Sequence, residues 1–213
     1  MTTGGIVLCG GQSRRMGRAK AALPIGCETM LARVVRLLRE AIEPVVVVAG
    51  AGQDLPELPR AVRMVHDREP NRGPLEGIAA GLLALDDEAD AAFVTGCDVP
   101  LLVPEFVRRV VELSAGYDVA VPHVAGFDEP LAAVYRTSVL AEIESLLAAG
   151  RLRPAFLFDR VGTRRITAEE LADVDPELRS LDNVNSPADY HAALQRAGVE
   201  DKWSADLPRG PEP

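Results

Sequence analysis

Gly5-Ile6-Val7-Leu8-Cys9-Gly10-Gly11 is the stretch whose reading decides the fold. A short apolar run stopped by two adjacent glycines reads as a buried strand that turns sharply at its carboxyl end. The same figure recurs at Val45-Val46-Val47-Val48-Ala49, which follows Pro44 and runs into Gly50 and Gly52. Continuous β-branched runs suit parallel strands covered on both faces. Further strands are predicted at Val62-Arg63-Met64-Val65, Ala91-Ala92-Phe93-Val94-Thr95, Asp118-Val119-Ala120-Val121 and Leu131-Ala132-Ala133-Val134-Tyr135. Helical periodicity lies between them. Thr29 caps a helix through Glu40, with Met30, Val34, Leu37, Leu38 and Ala41 on one face. Residues 75–85 read as helix, and Pro104 opens another to about Leu113. Thr137 to Ala149 is an amphipathic helix stopped by Gly150, and Pro187 starts the last one, to about Ala197. Strand alternating with helix predicts a three-layer α/β/α fold with an open, mainly parallel, Rossmann-like sheet. The pattern makes residues 1–197 one domain and 198–213 a flexible C-terminal tail, with no internal repeat. In such sheets ligands bind at the carboxyl ends of the strands, which directs attention to the loops after Cys9, Val48, Val65 and Thr95.

The bulk properties agree. A chain of 213 residues with 47% hydrophobic content is enough for one packed core. No apolar run reaches the roughly 18–20 residues of a membrane span, and the N-terminus lacks the pattern of a signal peptide. A formal net charge of -9 makes nucleic acid and anionic membranes poor partners. Cys9, Cys27 and Cys97 form no CxxC pair, and the three histidines show no metal spacing. A disulfide framework and a zinc site are both disfavoured, and a reducing cytoplasm is the expected location.

The first loop reverses the charge of the chain. Arg14, Arg15, Arg18 and Lys20 fall within seven residues, directly after Gly10-Gly11. Glycines after a strand let backbone amides approach an anion closely, and the cations neutralise it. Phosphate binding explains both features; a Gly turn followed by a solvated basic stretch is the plainer reading of either alone. The loop is neither a Walker sequence nor a GxGxxG dinucleotide fingerprint.

Leu8 to Pro24 resembles the nucleotide-binding signature of the family that includes molybdenum cofactor guanylyltransferase, L-A-G-G-x-S-x-R-M-G-x-D-K-x-x-L-P. Arg72-Gly73-Pro74-Leu75-Glu76-Gly77 is similar to that family's G-P-L-x-G, and Gly96-Cys97-Asp98-Val99-Pro100 to its C-D-x-P. Asp182-Asn183-Val184-Asn185-Ser186-Pro187-Ala188-Asp189 resembles its closing N-x-N-T-P-x-D, and Pro130 to Tyr135 its strand near the acceptor site. The matches are in order and span residues 4–190. Within the first motif two positions depart from the pattern: Cys9 replaces the usual Ala, and Ala19 the usual Asp before the lysine.

The resemblance implies a fold of the nucleotide-diphospho-sugar transferase type and a magnesium-dependent nucleotidyltransferase. It would move GMP from GTP to the terminal phosphate of molybdenum-bound molybdopterin, forming the guanine dinucleotide form of the cofactor, and release pyrophosphate. Leu8, Cys9, Gly10, Gly11, Lys20, Asp67, Gly73 and Asp98 then hold the nucleotide, with Lys20, Arg15 and Asp98 serving the chemistry. Asp98, after an apolar strand and before Pro100, reads as the magnesium carboxylate or as a turn cap. Asn185 reads as a second oxygen for the ion or as the cap of the last helix. Asp67 stands equally as a nucleotide contact or a surface turn, and Gly73 and Gly77 as loop positions near base or ribose. Cys9 and Cys97 read as small buried residues, and His123 as incidental. Molybdenum-cofactor insertion proteins or acceptor enzymes are the implied protein partners. Cytidylyl transfer to the same cofactor, or transfer to another phosphate acceptor, would use the same loop. A non-catalytic nucleotide sensor is the rival of another class, disfavoured by the presence of both Lys20 and Asp98.

Overall fold

The computed structural model describes residues 2–10, 19–50, 52–69 and 72–200. Strand β1 (Thr3–Leu8) lies at the centre of the main sheet. It is paired in parallel with β4 (Val45–Ala49) on one side and β6 (Ala91–Gly96) on the other. Beyond β4 comes the edge strand β5 (Arg63–His66), also parallel. Beyond β6 the sheet continues through β9 (Ala132–Arg136), β7 (Val119–Val124) and β10 (Thr163–Thr167). β9 is antiparallel to both neighbours, and the two-residue β8 (Phe127–Asp128) folds back antiparallel on β7. The sheet is therefore mainly parallel, as the sequence predicts. The strand expected at 131–135 runs one residue later and in the reverse direction. A pair of two-residue strands, β2 (Pro24–Ile25) and β3 (Glu28–Thr29), forms a separate hairpin after the first loop.

The helices cover both faces. Helix α1 (Met30–Arg39) begins where the Thr29 hydroxyl accepts from Ala32 N–H at 3.2 Å. It buries Leu31, Val34, Val35 and Leu38 on the same side of the sheet as α3 (Pro104–Leu113), which buries Phe106, Val107 and Val110. The opposite face carries α2 (Gly73–Leu85), α4 (Leu140–Ala148) and the short α5 (Ala155–Phe158). The predicted helix 137–149 opens instead as a tight turn over Thr137–Val139 and becomes α-helical at Leu140. A third, smaller cluster packs α6 (Pro187–Ala197) against the hairpin: Leu23, Ile25, Met30, Val184, Tyr190 and Leu194. Gly198 ends α6 with φ +65, and Val199 packs on this cluster.

Close approach of helix and sheet sets the position of β1. A methyl group on Gly5 would lie 2.7 Å from Leu38 of α1, and one on Gly81 of α2 would lie 2.7 Å from Ile6. The two glycines let helices from both sides press on the strand that leads into the first loop. Among the described residues no helix is long and apolar enough to cross a membrane.

Candidate active site

The carboxyl ends of β1, β4, β5 and β6 share one edge of the sheet because all four run parallel. Cys9 N–H bonds Val48 O at 2.8 Å and Cys97 N–H bonds Leu8 O at 3.0 Å, so the ladder extends one residue past the strands. Asp98 follows immediately. Its Oδ2 accepts from Lys20 Nζ at 2.8 Å, and the same ammonium donates to Asn185 Oδ1 at 2.7 Å. Three segments thus meet at one point, Asp98 and Asn185 lying 78 and 165 residues from Lys20. The pair is mostly enclosed, with the Lys20 and Asp98 side chains 17% and 21% exposed.

Each partner is held from behind. Lys20 opens the tight turn Lys20–Ala22, anchored by buried Ala21 and Leu23. Asp98 O accepts from Val184 N–H at 2.8 Å, which fastens the 182–186 segment beside the carboxylate. A methyl group on Gly96 would lie 2.6 Å from Asp98 Oδ1, so only glycine clears that carboxylate.

The structure separates the two readings of Asn185. The cap of α6 is Ser186, whose hydroxyl accepts from Asp189 N–H at 3.2 Å. Asp189 in return accepts from the backbone of Asn185 and Ser186 at 2.9 and 2.8 Å. The Asn185 side chain is left to face Lys20, and its reading as the helix cap is corrected. Nor does Asp98 cap a turn: among the described residues no backbone N–H donates to its carboxylate, whose recorded donor is Lys20.

A second group of predicted residues converges beside the first. Asp67 continues β5, with its N–H bonded to Ala49 O at 2.9 Å. A methyl on Gly10 would come within 3.3 Å of Asp67 Oδ2, and one on Gly77 within 3.4 Å of Oδ1 and 3.1 Å of Leu8. Leu8, Gly10, Asp67 and Gly77 therefore form one wall. Burial, then the Glu76 carboxylate, raise the Asp67 carboxyl above its usual range. Cys9 and Cys97 link the two groups as buried neighbours, and the hydrogen bond with Cys97 followed by burial pushes the Cys9 thiol far up. Both are small buried residues, as expected. Gly73 stands apart from this wall. Its φ is +71 and its near neighbour is Leu152 O, where a methyl would lie 3.3 Å away. Gly11 and Arg15, like Arg14 and Arg18, lie outside the described residues.

His123 is less incidental than its sequence context suggests. Its Nδ1 pairs with Asp128 Oδ1 at 2.7 Å, and Arg165 reaches both oxygens of Asp128 at 3.1 Å. Burial alone would raise the Asp128 carboxyl, but the bonds from His123 and Arg165 bring it below the usual range. Tyr135 is fully buried, with its hydroxyl donating to Pro130 O at 2.8 Å, and it belongs to the core.

Two residues escaped the sequence reading. Gly96 was visible only as part of a motif; its need shows once the Asp98 side chain folds back over it. Glu76 is only 3% exposed and binds Arg68 Nε at 2.9 Å, while Arg68 also pairs with Glu144 of α4 at 2.8 Å. This chain of ions ties the Asp67 loop to α2 and α4. A single carboxylate in the otherwise apolar run Leu75-Glu76-Gly77-Ile78-Ala79-Ala80 was the available signal, since a buried charge demands partners.

The donor set suits a hard cation. Asp98 and Asn185 present a carboxylate and an amide oxygen to one positive charge, and that charge is presently the Lys20 ammonium. Among the described residues no group of three His, Cys, Asp or Glu assembles, here or elsewhere. One or two protein oxygens, completed by water and phosphate oxygens, is the arrangement magnesium favours.

Residues 5–163 match the model of the MobA-like NTP transferase domain. A probable molybdenum cofactor guanylyltransferase of Mycobacterium avium is 39% identical over 200 residues, 92% of this chain and 96% of that protein. A protein of the same description from Pelotomaculum thermopropionicum is 36% identical over 189 residues, 87% and 88% of the two chains. The fold is also that of molybdopterin-guanine dinucleotide biosynthesis protein A from Archaeoglobus fulgidus. That structure aligns with a TM-score of 0.75 at 23% identity, over 93% of this chain and 99% of that one. The sheet with its parallel edge, the convergence of Lys20, Asp98 and Asn185, and these likenesses lead to one conclusion: the chain belongs to the MobA-like NTP transferase family and is a nucleotidyltransferase.

Proposed function

We propose that this enzyme transfers the GMP unit of GTP to the terminal phosphate of molybdopterin and releases pyrophosphate, with magnesium as cofactor. The observation that carries the reading is the meeting of Lys20, Asp98 and Asn185 at the strand edge beside Gly10 and Asp67. A nucleotidyltransferase needs a phosphate-directed cation and oxygen ligands for a divalent ion within one site, and Lys20, Asp98 and Asn185 would supply them here. Resemblance to the curated relatives selects guanine and molybdopterin among the possible substrates.

In the reaction an acceptor phosphate oxygen attacks the α-phosphorus of GTP, the bond to the β-phosphate oxygen breaks, and pyrophosphate leaves with that electron pair. The acceptor is already anionic at neutral pH. No strong protein base is required, which agrees with the absence of a Ser-His-Asp or Cys-His set among the described residues of the site. Catalysis is positioning and charge neutralisation. Asp98 and Asn185 would hold magnesium, which when bound supplies Lewis-acid neutralisation of phosphate charge. Lys20 and Arg15 would face the departing phosphates. By the resemblance, Leu8, Cys9, Gly10 and Gly11 would line the base, and Asp67 and Gly77 would shape the wall around it. A base whose polar edge fails to pair leaves a buried group unsatisfied at about 1–3 kcal/mol, a discrimination of roughly ten- to a hundredfold per contact.

Incubation with each of the four nucleoside triphosphates, magnesium and the molybdopterin acceptor tests the proposal through pyrophosphate release. GTP should give acceptor-dependent release well above the others. Preference for CTP would move the chain to cytidylyl transfer. Nucleotide binding without release under any combination would make it a sensor.

A further inference from the structure

We propose that Lys20 is a built-in stand-in for the metal ion: its ammonium neutralises Asp98 and Asn185 until a nucleotide draws it away, so that metal binding depends on nucleotide binding. The inference rests on the assignment of Asp98 and Asn185 as metal ligands and goes beyond it to how the site loads.

The argument begins with distances. Lys20 Nζ lies 2.8 Å from Asp98 Oδ2 and 2.7 Å from Asn185 Oδ1. Both are charge-assisted contacts of normal length; the one to Asp98 is mostly enclosed, and the one to Asn185 is exposed. The two oxygens a divalent ion requires are thus already directed at a single cation. Among the described residues the Lys20 ammonium offsets the Asp98 carboxylate directly, and the Asp189 carboxylate also lies in its field. A divalent ion that takes both oxygens must either sit beside an ammonium a few ångströms away or wait until that ammonium has left. Repulsion between a single and a double charge at such a distance is several times the thermal energy even at an effective dielectric constant of about 20.

The surrounding structure allows the ammonium to leave while everything else stays. Ala21 and Leu23 are buried, so the backbone of the Lys20 turn is fixed. Asp98 is fixed by Val184 N–H on its carbonyl. Asn185 is fixed by Asp189 through its own N–H. The movable part is the four-carbon stem of Lys20, whose swing is a rotamer change. A triphosphate offers the ammonium more negative charge than one carboxylate does. Its arrival exchanges Lys20 from the ligand pair to the phosphates and exposes Asp98 and Asn185 to the ion in the same step. By reciprocity, whatever factor the nucleotide adds to metal affinity the metal adds to nucleotide affinity. The enzyme then binds metal weakly by itself and is not captured by free divalent ions before substrate arrives.

Manganese binding to the full chain, followed by the electron paramagnetic resonance signal of free Mn²⁺ without nucleotide, tests this directly. Lys20→Met keeps the aliphatic stem and removes the charge, and Lys20→Ala serves as a second variant; thermal melting reports that each is folded. Both variants should bind Mn²⁺ without nucleotide at least about tenfold more tightly than wild type. Adding Asp98→Asn to Lys20→Met should abolish that gain. Variants that bind nucleotide-free Mn²⁺ no better than wild type would overturn the inference. If in that case Asp98→Asn alone still weakens Mn²⁺ binding in the presence of GTP, the metal-site assignment survives without the stand-in role. If Asp98→Asn binds Mn²⁺ with GTP as well as wild type does, the assignment fails and the inference with it.

Discussion

At the scale of single residues, Asp98 concentrates the functional claim. Its carboxylate accepts from Lys20, and among the described residues it supports no backbone turn. Replacement by Asn keeps size and hydrogen-bonding capacity, so folding has little to lose. A neutral amide is a much poorer ligand for a hard divalent cation. Asp98→Asn should therefore lower nucleotidyl transfer by about 10²–10³, the usual cost of losing one charge-stabilising group, while the melting temperature moves by a few degrees at most. Raising magnesium should recover part of the rate. Wild-type turnover by this variant at limiting magnesium would remove Asp98 from the metal site. Lys20, Asp67, Asp98 and Asn185 were all named from sequence, through motifs that resemble the family's, and the structure brings Lys20, Asp98 and Asn185 together. What stayed hidden was which neighbour each side chain chooses, as with Asn185, whose capping role is taken by the next residue.

At the scale of elements, long buried strands and helices were legible, while of the short exposed strands β5 was read and β10 was not. β1, β4 and β6 are continuous apolar runs. β10 reads Thr-Arg-Arg-Ile-Thr, with Ile166 its one buried residue, and an edge strand of that kind leaves no periodic trace. The reversal of β9 was equally unreadable, since pairing direction depends on connections and not on composition. Helix α2 offers a test of packing against propensity. Gly81→Ala should favour the helix by about 1 kcal/mol. The added methyl would meet three side-chain carbons of the fully buried Ile6 at 2.7–2.9 Å. Overpacking of that kind costs about 1–3 kcal/mol, so the variant should be net destabilised in urea titration. A rise in stability would mean that α2 can back away from β1. The β3 to α1 junction offers a test of charge. Hydrogen bonding from Arg36 first, and the charges of Arg36 and Arg33, hold the Glu28 carboxyl below its usual range despite some burial. A depressed carboxyl stabilises the fold above its unfolded-state value and loses that contribution as pH falls through its folded value. Wild type should therefore melt above Glu28→Gln at neutral pH, and the gap should close as pH falls below the usual glutamate value of about 4.3. A gap that persists or widens in acid would assign the difference to something other than ionisation.

At the scale of the whole molecule, the site is assembled from the two ends of the described chain, and one small cluster holds them together. Lys20 lies just after the first loop and Asn185 just before the last helix. The sequence showed the two motifs in order but not that they touch; that contact is made by the third cluster, in which Tyr190 of α6 packs fully buried against Leu23, Ile25 and Met30. The Tyr190 hydroxyl also donates to Pro24 O, across the hairpin that follows Lys20. Two substitutions separate packing from the hydroxyl. Tyr190→Phe keeps the ring and leaves one carbonyl short of a partner, at a cost near 1 kcal/mol; transfer activity should stay within a fewfold of wild type. Tyr190→Ala removes a buried ring of the class whose loss costs about 3–5 kcal/mol, and the main sheet, with its own two larger clusters, should keep its fold. Because the lost packing is local to the clamp, the effect on the site should exceed the effect on the sheet. Well below the melting temperature, Tyr190→Ala should show far-UV circular dichroism close to wild type, a raised KM for GTP and a kcat lowered by about tenfold or more, as expected for misplacement of positioning groups. If kcat and KM stay at wild-type values while the melting temperature falls, α6 contributes stability alone and the tie between Asn185 and Lys20 is not what aligns the site.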